Sequence, residues 1–239
     1  MDIFNKEAWE QKALIRAGEL SVSELMQETF TRIETVNPHV NALVNLYSKE
    51  DCYKLASENT SLGGALGGMP MAIKDLANVK GFKTTEGSPL YSERVAENDD
   101  QMVARLRAAG ALFIGKTNTP EFGLGSNTFN PVYGKTKNPY DLSKTCGGSS
   151  GGAAVALATR MLSISDGSDM MGSLRNPAAW NNVYGLRPTW GLIPPEPSGE
   201  IFLSQLSTLG PMARSPKDLA MLLDVQANSA ENRSFISSA

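Results

Sequence analysis

Three stretches of this chain hold residue types that could do chemistry together. Lys74 interrupts the apolar run GMPMAIKDL, Ser149 and Ser150 sit between glycine pairs in TCGGSSGGAAVALA, and Ser173 follows the turn-rich DGSDMMG. A lysine held inside a sheet loses solvation, which depresses its pKa and makes it a base near neutral pH. On an edge strand the same residue snorkels to solvent instead. At Ser173 a strand breaks into turn residues before a helix, where serine often caps orphan amides; exposed amides at such a turn equally suit an oxyanion hole. The one histidine, His39, lies in VNPHVNALV at a predicted helix end and reads as a solvated or C-capping residue rather than a base. A hydrolytic site here therefore needs a base other than histidine.

The glycines around Ser149 admit other readings. The segment GALFIGKT, residues 110–117, formally matches a phosphate-binding loop. There, however, a helix leads into the first glycine, the middle residues are themselves an apolar strand, and a proline follows; a true phosphate loop has the reverse order. A flexible linker is disfavoured by the apolar continuation AAVALA, which belongs in a core.

The elements that must position these residues follow from periodicity and capping. Residues 21–36 read as an amphipathic helix, with a Ser21/Glu24 capping box, Leu25, Met26, Phe30 and Ile33 on one face, and Pro38 as its end. VNALVNLY reads as a strand and KEDCYKLASEN as a second helix. The run from Met69 to Leu76 suits a buried strand. DDQMVARLRAA makes a helix stopped by Gly110, with ALFIG as a short strand after it. MLSIS reads as a further strand and DLAMLLDV as a last helix. Helices alternating with short apolar strands indicate an α/β class; no repeat and no interdomain linker is visible.

Composition removes whole function classes. With 239 residues and 41% hydrophobic content, the chain can bury a sizeable core. A net charge of -3 and scattered basic residues argue against direct nucleic-acid binding. Two cysteines, Cys52 and Cys146, and one histidine are too few for a disulfide scaffold or a zinc site. The N-terminus MDIFNKEAWEQ has no signal-peptide pattern, and no apolar run reaches membrane-spanning length. The expectation is a cytoplasmic protein with no membrane partner.

The pieces GGMPMAIKD, GKTNTPEF, NPYDLSKTCGGSSGGAAVALA, DGSDMMGSLRNPA, NVYGLRPTWGLIP and LGPMARSPKDLAMLL, in this order, resemble the amidase signature family. The resemblance implies an α/β amidase-signature fold with a mixed β-sheet core flanked by helices. It implies cleavage of an amide, and sometimes an ester, bond of a small molecule, with no metal or organic cofactor. Carried over by position, Ser173 is the nucleophile, Ser149 a bridging serine preceded by a cis peptide, and Lys74 the base. The oxyanion would rest on backbone amides of Met170, Met171, Gly172 and Ser173. Asp169 and Arg175 would fix the nucleophile's turn, the alternative being an ordinary surface ion pair, and Ser150 would support the bridge or Lys74.

Two departures shape the expectation further. DMMGS places Met171 where many members have glycine, which alters substrate shape rather than the amides that form the hole. DMMGSLRNPA also differs from the GGSIRQPA style of the glutamine-handling chains of tRNA-dependent amidotransferases. It favours a stand-alone amidase, with an amidotransferase chain of that kind as the alternative. Family domains are longer, so the expectation is one partial domain over 1–239, with a helical region at 1–60, a catalytic core portion at 61–239, and the C-terminal part of the fold missing. A truncated, inactive or partner-dependent protein is the other alternative, in which a homo-oligomer or a partner completes the fold.

Overall fold

The computed structural model of the protein describes residues 3–58, 62–196 and 205–227. The expected boundary at residues 60–61 and the polar tail from residue 228 onward lie outside the described residues. Helix α1 (Ala8–Ala17) ends at Gly18, and α2 (Val22–Val40) begins as its sequence demands. Ser21 Oγ accepts from the amide of Glu24 (3.1 Å), while the Glu24 carboxylate accepts from that of Ser21 (2.8 Å). Leu25, Met26, Phe30 and Ile33 are all buried. Pro38 does not end the helix: α2 runs through it to Val40 and stops where Asn41 turns left-handed at φ 54°. A proline in the last turn removes only one ladder donor. The Asn37 side chain then anchors the exit by accepting from the amides of Ala42 and Leu43, both at 2.9 Å.

Strand β1 is shorter than VNALVNLY suggests, only Leu43–Val44, because Asn45 takes φ 45° and leaves the extended region. Helix α3 (Lys49–Ser57), strand β2 (Pro70–Lys74), helix α4 (Gln101–Ala108) and strand β3 (Leu112–Thr117) follow. β2 and β3 are parallel, with α4 in the crossover between them, and β1 pairs antiparallel to β3. GALFIGKT is thus the entry to β3 and the whole of that strand. The Asn- and Gly-rich stretch next in sequence contains two small hairpins, β4 (Phe129–Asn130) with β5 (Gly134–Lys135), and β6 (Lys137–Asn138) with β7 (Asp141–Thr145).

Helix α5 (Gly151–Ala158) is buried along nearly its whole length and packs against β2, β3 and strand β8 (Ile164–Asp169). The expected MLSIS strand therefore starts late. Met161 and Leu162 instead donate their amides back to Ala156 O, after Arg160 turns at φ 61°, and so close the helix. Helix α6 (Arg175–Trp180), strand β9 (Tyr184–Gly185), strand β10 (Thr208–Ala213) and helix α7 (Pro216–Ala227) complete the described elements. β10 lies antiparallel between β8 and β9. The two three-stranded sheets, β1-β3-β2 and β8-β10-β9, meet where β2 faces β8. Among the described residues no backbone ladder joins β2 and β8; side chains link them, with Ser165 Oγ donating to Ala72 O (3.4 Å) and Lys74 N donating to Asp166 Oδ1 (3.0 Å). One apolar cluster reaches from Ala8 to Val225 and includes β2, β3 and α5. Among the described residues no helix is long and apolar enough to cross a membrane.

The seat of α5 is set by backbone proximity. A Cβ at Gly152 would lie 2.3 Å from Asn118 N and 2.6 Å from Ala42 O, where neither neighbour is a movable side-chain tip. Gly152→Ala is expected to lower stability by about 3 kcal/mol through overpacking. Urea denaturation measures this; an unchanged midpoint would mean that α5 sits less closely on these strands.

Candidate active site

Burial of Lys74 begins with its place at the C-terminal end of β2, among strand residues that are all buried. Its side chain is 1% exposed, so its amine has almost no water to donate to. Three hydroxyls take that role. Lys74 Nζ lies 2.7 Å from Ser149 Oγ, 2.9 Å from Ser150 Oγ and 3.0 Å from Ser168 Oγ. Burial pushes the Lys74 pKa down to about 7, against the pull of Asp166 and Asp169. An amine with that pKa is partly neutral at physiological pH and then has a lone pair to accept one hydroxyl proton.

Ser149 and Ser150 reach Lys74 because they lead into α5, and the peptide bond between Gly148 and Ser149 is cis. Ser150 belongs to the same cluster as Ser149. Its Oγ accepts from Lys74 and also from the amide of Ser168 (3.3 Å), while its own amide donates to Ser173 O (3.1 Å). Ser168 does not stand out in the sequence, yet it supplies the third hydroxyl. The signal that could have found it is period two: residue 168 lies two positions from Asp166 on β8, and both side chains serve the Lys74 side of the strand.

Ser173 is half-buried in the turn between β8 and α6, and its carbonyl is tied to the amide of Ser150. Among the described residues no hydrogen bond joins Ser173 Oγ to Ser149 Oγ; the nucleophile candidate and the lysine cluster are linked through that carbonyl. Asp169 organises the turn. Fully buried, it accepts from the amides of Gly172 (2.7 Å) and Leu174 (3.1 Å) and takes a two-pronged contact from Arg175, both bonds at 3.0 Å. Arg187, which the sequence does not single out, adds a contact to Asp169 Oδ1 (3.1 Å), donates to Asp169 O, and bonds Leu206 O (2.7 Å). Burial alone would raise the Asp169 pKa, but these donors outweigh it and hold the carboxyl well below the usual range.

The four expected oxyanion donors are not equivalent. Gly172 N–H is committed to Asp169, and its φ of 118° is a conformation that glycine adopts without strain. The amides of Met170, Met171 and Ser173 have no such bond among the described residues. The Met171 side chain is 80% exposed, directed to solvent. His39 is exposed in the last turn of α2, apart from the hydrogen bonds that build this cluster.

A second buried lysine stands behind the first. Lys116 of β3, the lysine of GALFIGKT, donates to Ala77 O and to Thr84 Oγ1 (3.3 Å) and lies 3.8 Å from Asp75. Burial lowers its pKa to about 8 and raises that of Asp75. A cavity of about 290 Å³ opens beside Lys74, lined by Asp166, Ser168, Trp190 and Thr208 among others.

The site thus brings a buried lysine amine, three hydroxyls and, through the Ser150 amide, the turn that carries Ser173 into one cluster. The chain belongs to the amidase family, whose model matches residues 24–238. Its relatives include one of the subunits of glutamyl-tRNA(Gln) amidotransferase from Saccharolobus solfataricus, 37% identical over 218 residues, which are 91% of this chain and 45% of the relative. The corresponding protein of Thermus thermophilus is 41% identical over 92% of this chain and 46% of its own length. Among solved structures, 6-aminohexanoate cyclic dimer hydrolase superposes with a TM-score of 0.89 at 34% identity, over 98% of this chain and 49% of the hydrolase. Peptide amidase from Stenotrophomonas maltophilia gives 0.85 at 34% identity, over 95% and 49%. The chain thus spans about half the length of the relatives it matches.

Replacing the hub of the turn tests its weight. Asp169→Asn is expected to cost more than about 2 kcal/mol at neutral pH, because buried amides lose a charged acceptor. A folded-state pKa below the unfolded one stabilises above the unfolded value, so the gap between wild type and variant should narrow as pH falls below about 4. Urea melts at several pH values measure it; a gap independent of pH would contradict the ionised carboxylate.

Proposed function

We propose that the protein hydrolyses the C–N bond of a small carboxylic amide, or the corresponding bond of an ester, through an acyl-enzyme on Ser173. The observation that carries this reading is the Lys74 amine, fully buried and 2.7 Å from Ser149 Oγ. Neutral Lys74 accepts the Ser149 proton while Ser149 accepts that of Ser173, whose Oγ attacks the carbonyl carbon. Rotation of the Ser173 hydroxyl toward Ser149 as substrate binds completes the relay. The tetrahedral oxyanion is held by the amides of Met170, Met171 and Ser173, with Gly172 fixing the turn through Asp169. The proton returns from Lys74 through Ser149 to the departing amine as the C–N bond breaks. Water then attacks the ester, loses its proton along the same route and releases the acid and Ser173. Ser150 and Ser168 take the two remaining amine hydrogens and so aim the lone pair at Ser149. Asp169, with Arg175 and Arg187, holds the amides in place.

A second reading, release of ammonia from an amide within an amidotransferase assembly, is favoured by the similarity to the glutamyl-tRNA(Gln) amidotransferase relatives. The sequence DMMGSLRNPA favours the stand-alone reaction. Ammonia release from simple primary amides by the isolated chain, against release only after mixing with the other amidotransferase subunits, separates the two.

Turnover of a panel of aliphatic and aryl amides tests the proposal. Because the base must be neutral and its pKa is about 7, kcat/KM should rise roughly tenfold from pH 6 to pH 8 and then level off. Lys74→Ala should lower it by about a thousandfold while leaving the unfolding midpoint near that of wild type. A flat profile from pH 6 to 9, or unchanged turnover in the variant, would overturn the relay.

A further inference from the structure

Asp166 is a buried carboxylate that the relay does not use. It sits on β8 opposite Pro211 of β10, is 1% exposed, and points toward β2 rather than into its own sheet. There it accepts the backbone N–H of Lys74 at 3.0 Å, in the gap where a neighbouring strand would offer a carbonyl. An asparagine would make that bond equally well without burying a charge, and an unpaired buried carboxylate costs several kcal/mol. Among the described residues no ion-pair contact reaches Asp166, and the nearby positive charges act on it from a distance. Lys74 and Lys116 both attract Asp166, one from β2 and the other from β3.

We propose that Asp166 is a positioning residue for Lys74, fixing its backbone across the β2–β8 junction while its negative charge sets how readily the lysine amine gives up a proton. This rests on the reading of Lys74 as the proton acceptor. The charged groups around Lys74 are few: Asp166 and Asp169 from β8, with α5 offering only the hydroxyls of Ser149 and Ser150. Behind Asp166 stand Lys116 from β3, Asp75 from the turn after β2, and Asp100 at the start of α4, the last two acting on Lys116. Burial alone drives an amine toward neutrality and weakens it as a base. A nearby carboxylate restores basicity, and a base works best with its affinity matched to the operating pH. Asp166 is the first of two carboxylates, with Asp169, that pull Lys74 back toward that window, and it itself titrates upward, to about 6, because burial disfavours its charged form.

The test is a direct titration that needs no turnover. Protein carrying 13C at lysine Cε is followed by NMR from pH 5 to 10, with the Lys74 signal assigned through its backbone. In Asp166→Asn, which keeps the acceptor and removes the charge, the Lys74 midpoint should fall by one unit or more. An unmoved or raised midpoint in the folded variant would reduce Asp166 to a structural staple and overturn the proposal. The wild-type protein supplies a second readout, independent of the variant's folding. The 13Cγ signal of Asp166 should shift at the Lys74 midpoint, and a flat response there would equally overturn the coupling. If amides are not hydrolysed at all, the functional reading fails while these titrations still decide the role of Asp166.

Discussion

The exclusion of water from one amine organises this structure. A lysine ammonium buried without partners is too costly to keep, so Lys74 needs a lower proton affinity, close hydroxyl neighbours and a nearby counter-charge. Each need selects a different part of the fold. β2 carries the amine to the junction of two sheets, and α5 brings Ser149 and Ser150 to it from a loop that folds tightly at its glycines. β8 contributes Ser168 and Asp166 from one strand. The contact between β2 and β8 is side-chain bonding rather than a ladder, which leaves room for a carboxylate and two hydroxyls where backbone groups would otherwise meet.

A second buried group, Asp169, does for the Ser173 turn what the hydroxyls do for the amine. It collects three amides and two guanidinium groups, and so holds the stretch from β8 to α6 without a regular element. One consequence is chemical. By taking the Gly172 amide, Asp169 leaves those of Met170, Met171 and Ser173 as the uncommitted donors of the turn among the described residues. The chain spans about half the length of the relatives it matches. Met170 and Met171 stand on this turn as exposed apolar side chains.

Much of this is legible in the sequence, for identifiable reasons. The Ser21/Glu24 box, the buried run ending in Lys74, the helix after the paired glycines and the helix over 216–227 are all local signals, fixed by capping or by an apolar stretch with no polar alternative. Pro38 misleads because a proline rule meant for helix interiors does not hold in a final turn, where Asn37 and Asn41 set the exit. β10 is invisible as a strand because Gly210 and Pro211 lie within it. The structure tolerates the proline because its carbonyl faces β9, accepting from Leu186, and a donor is not needed there. In the site, Lys74, Ser149 and Ser173 stand out by residue type in an unusual setting. Ser168, Asp166, Lys116 and Arg187 do not, since a serine, an acid or a base in a polar stretch has no meaning until the fold supplies its partner. Lys116 even suggests a phosphate loop until its strand turns it inward to Ala77 and Thr84.

In the proposed relay the buried amine activates Ser173 and not one of the other hydroxyls near it. The most direct measurement is reaction of the folded protein with a fluorophosphonate followed by peptide mass spectrometry, with Lys74→Ala alongside. One phosphonyl adduct is expected, on Ser173, and it is lost in the variant. An adduct on Ser149 or Ser150, labelling of Ser173 that survives loss of the lysine, or no adduct on a demonstrably folded sample would contradict it.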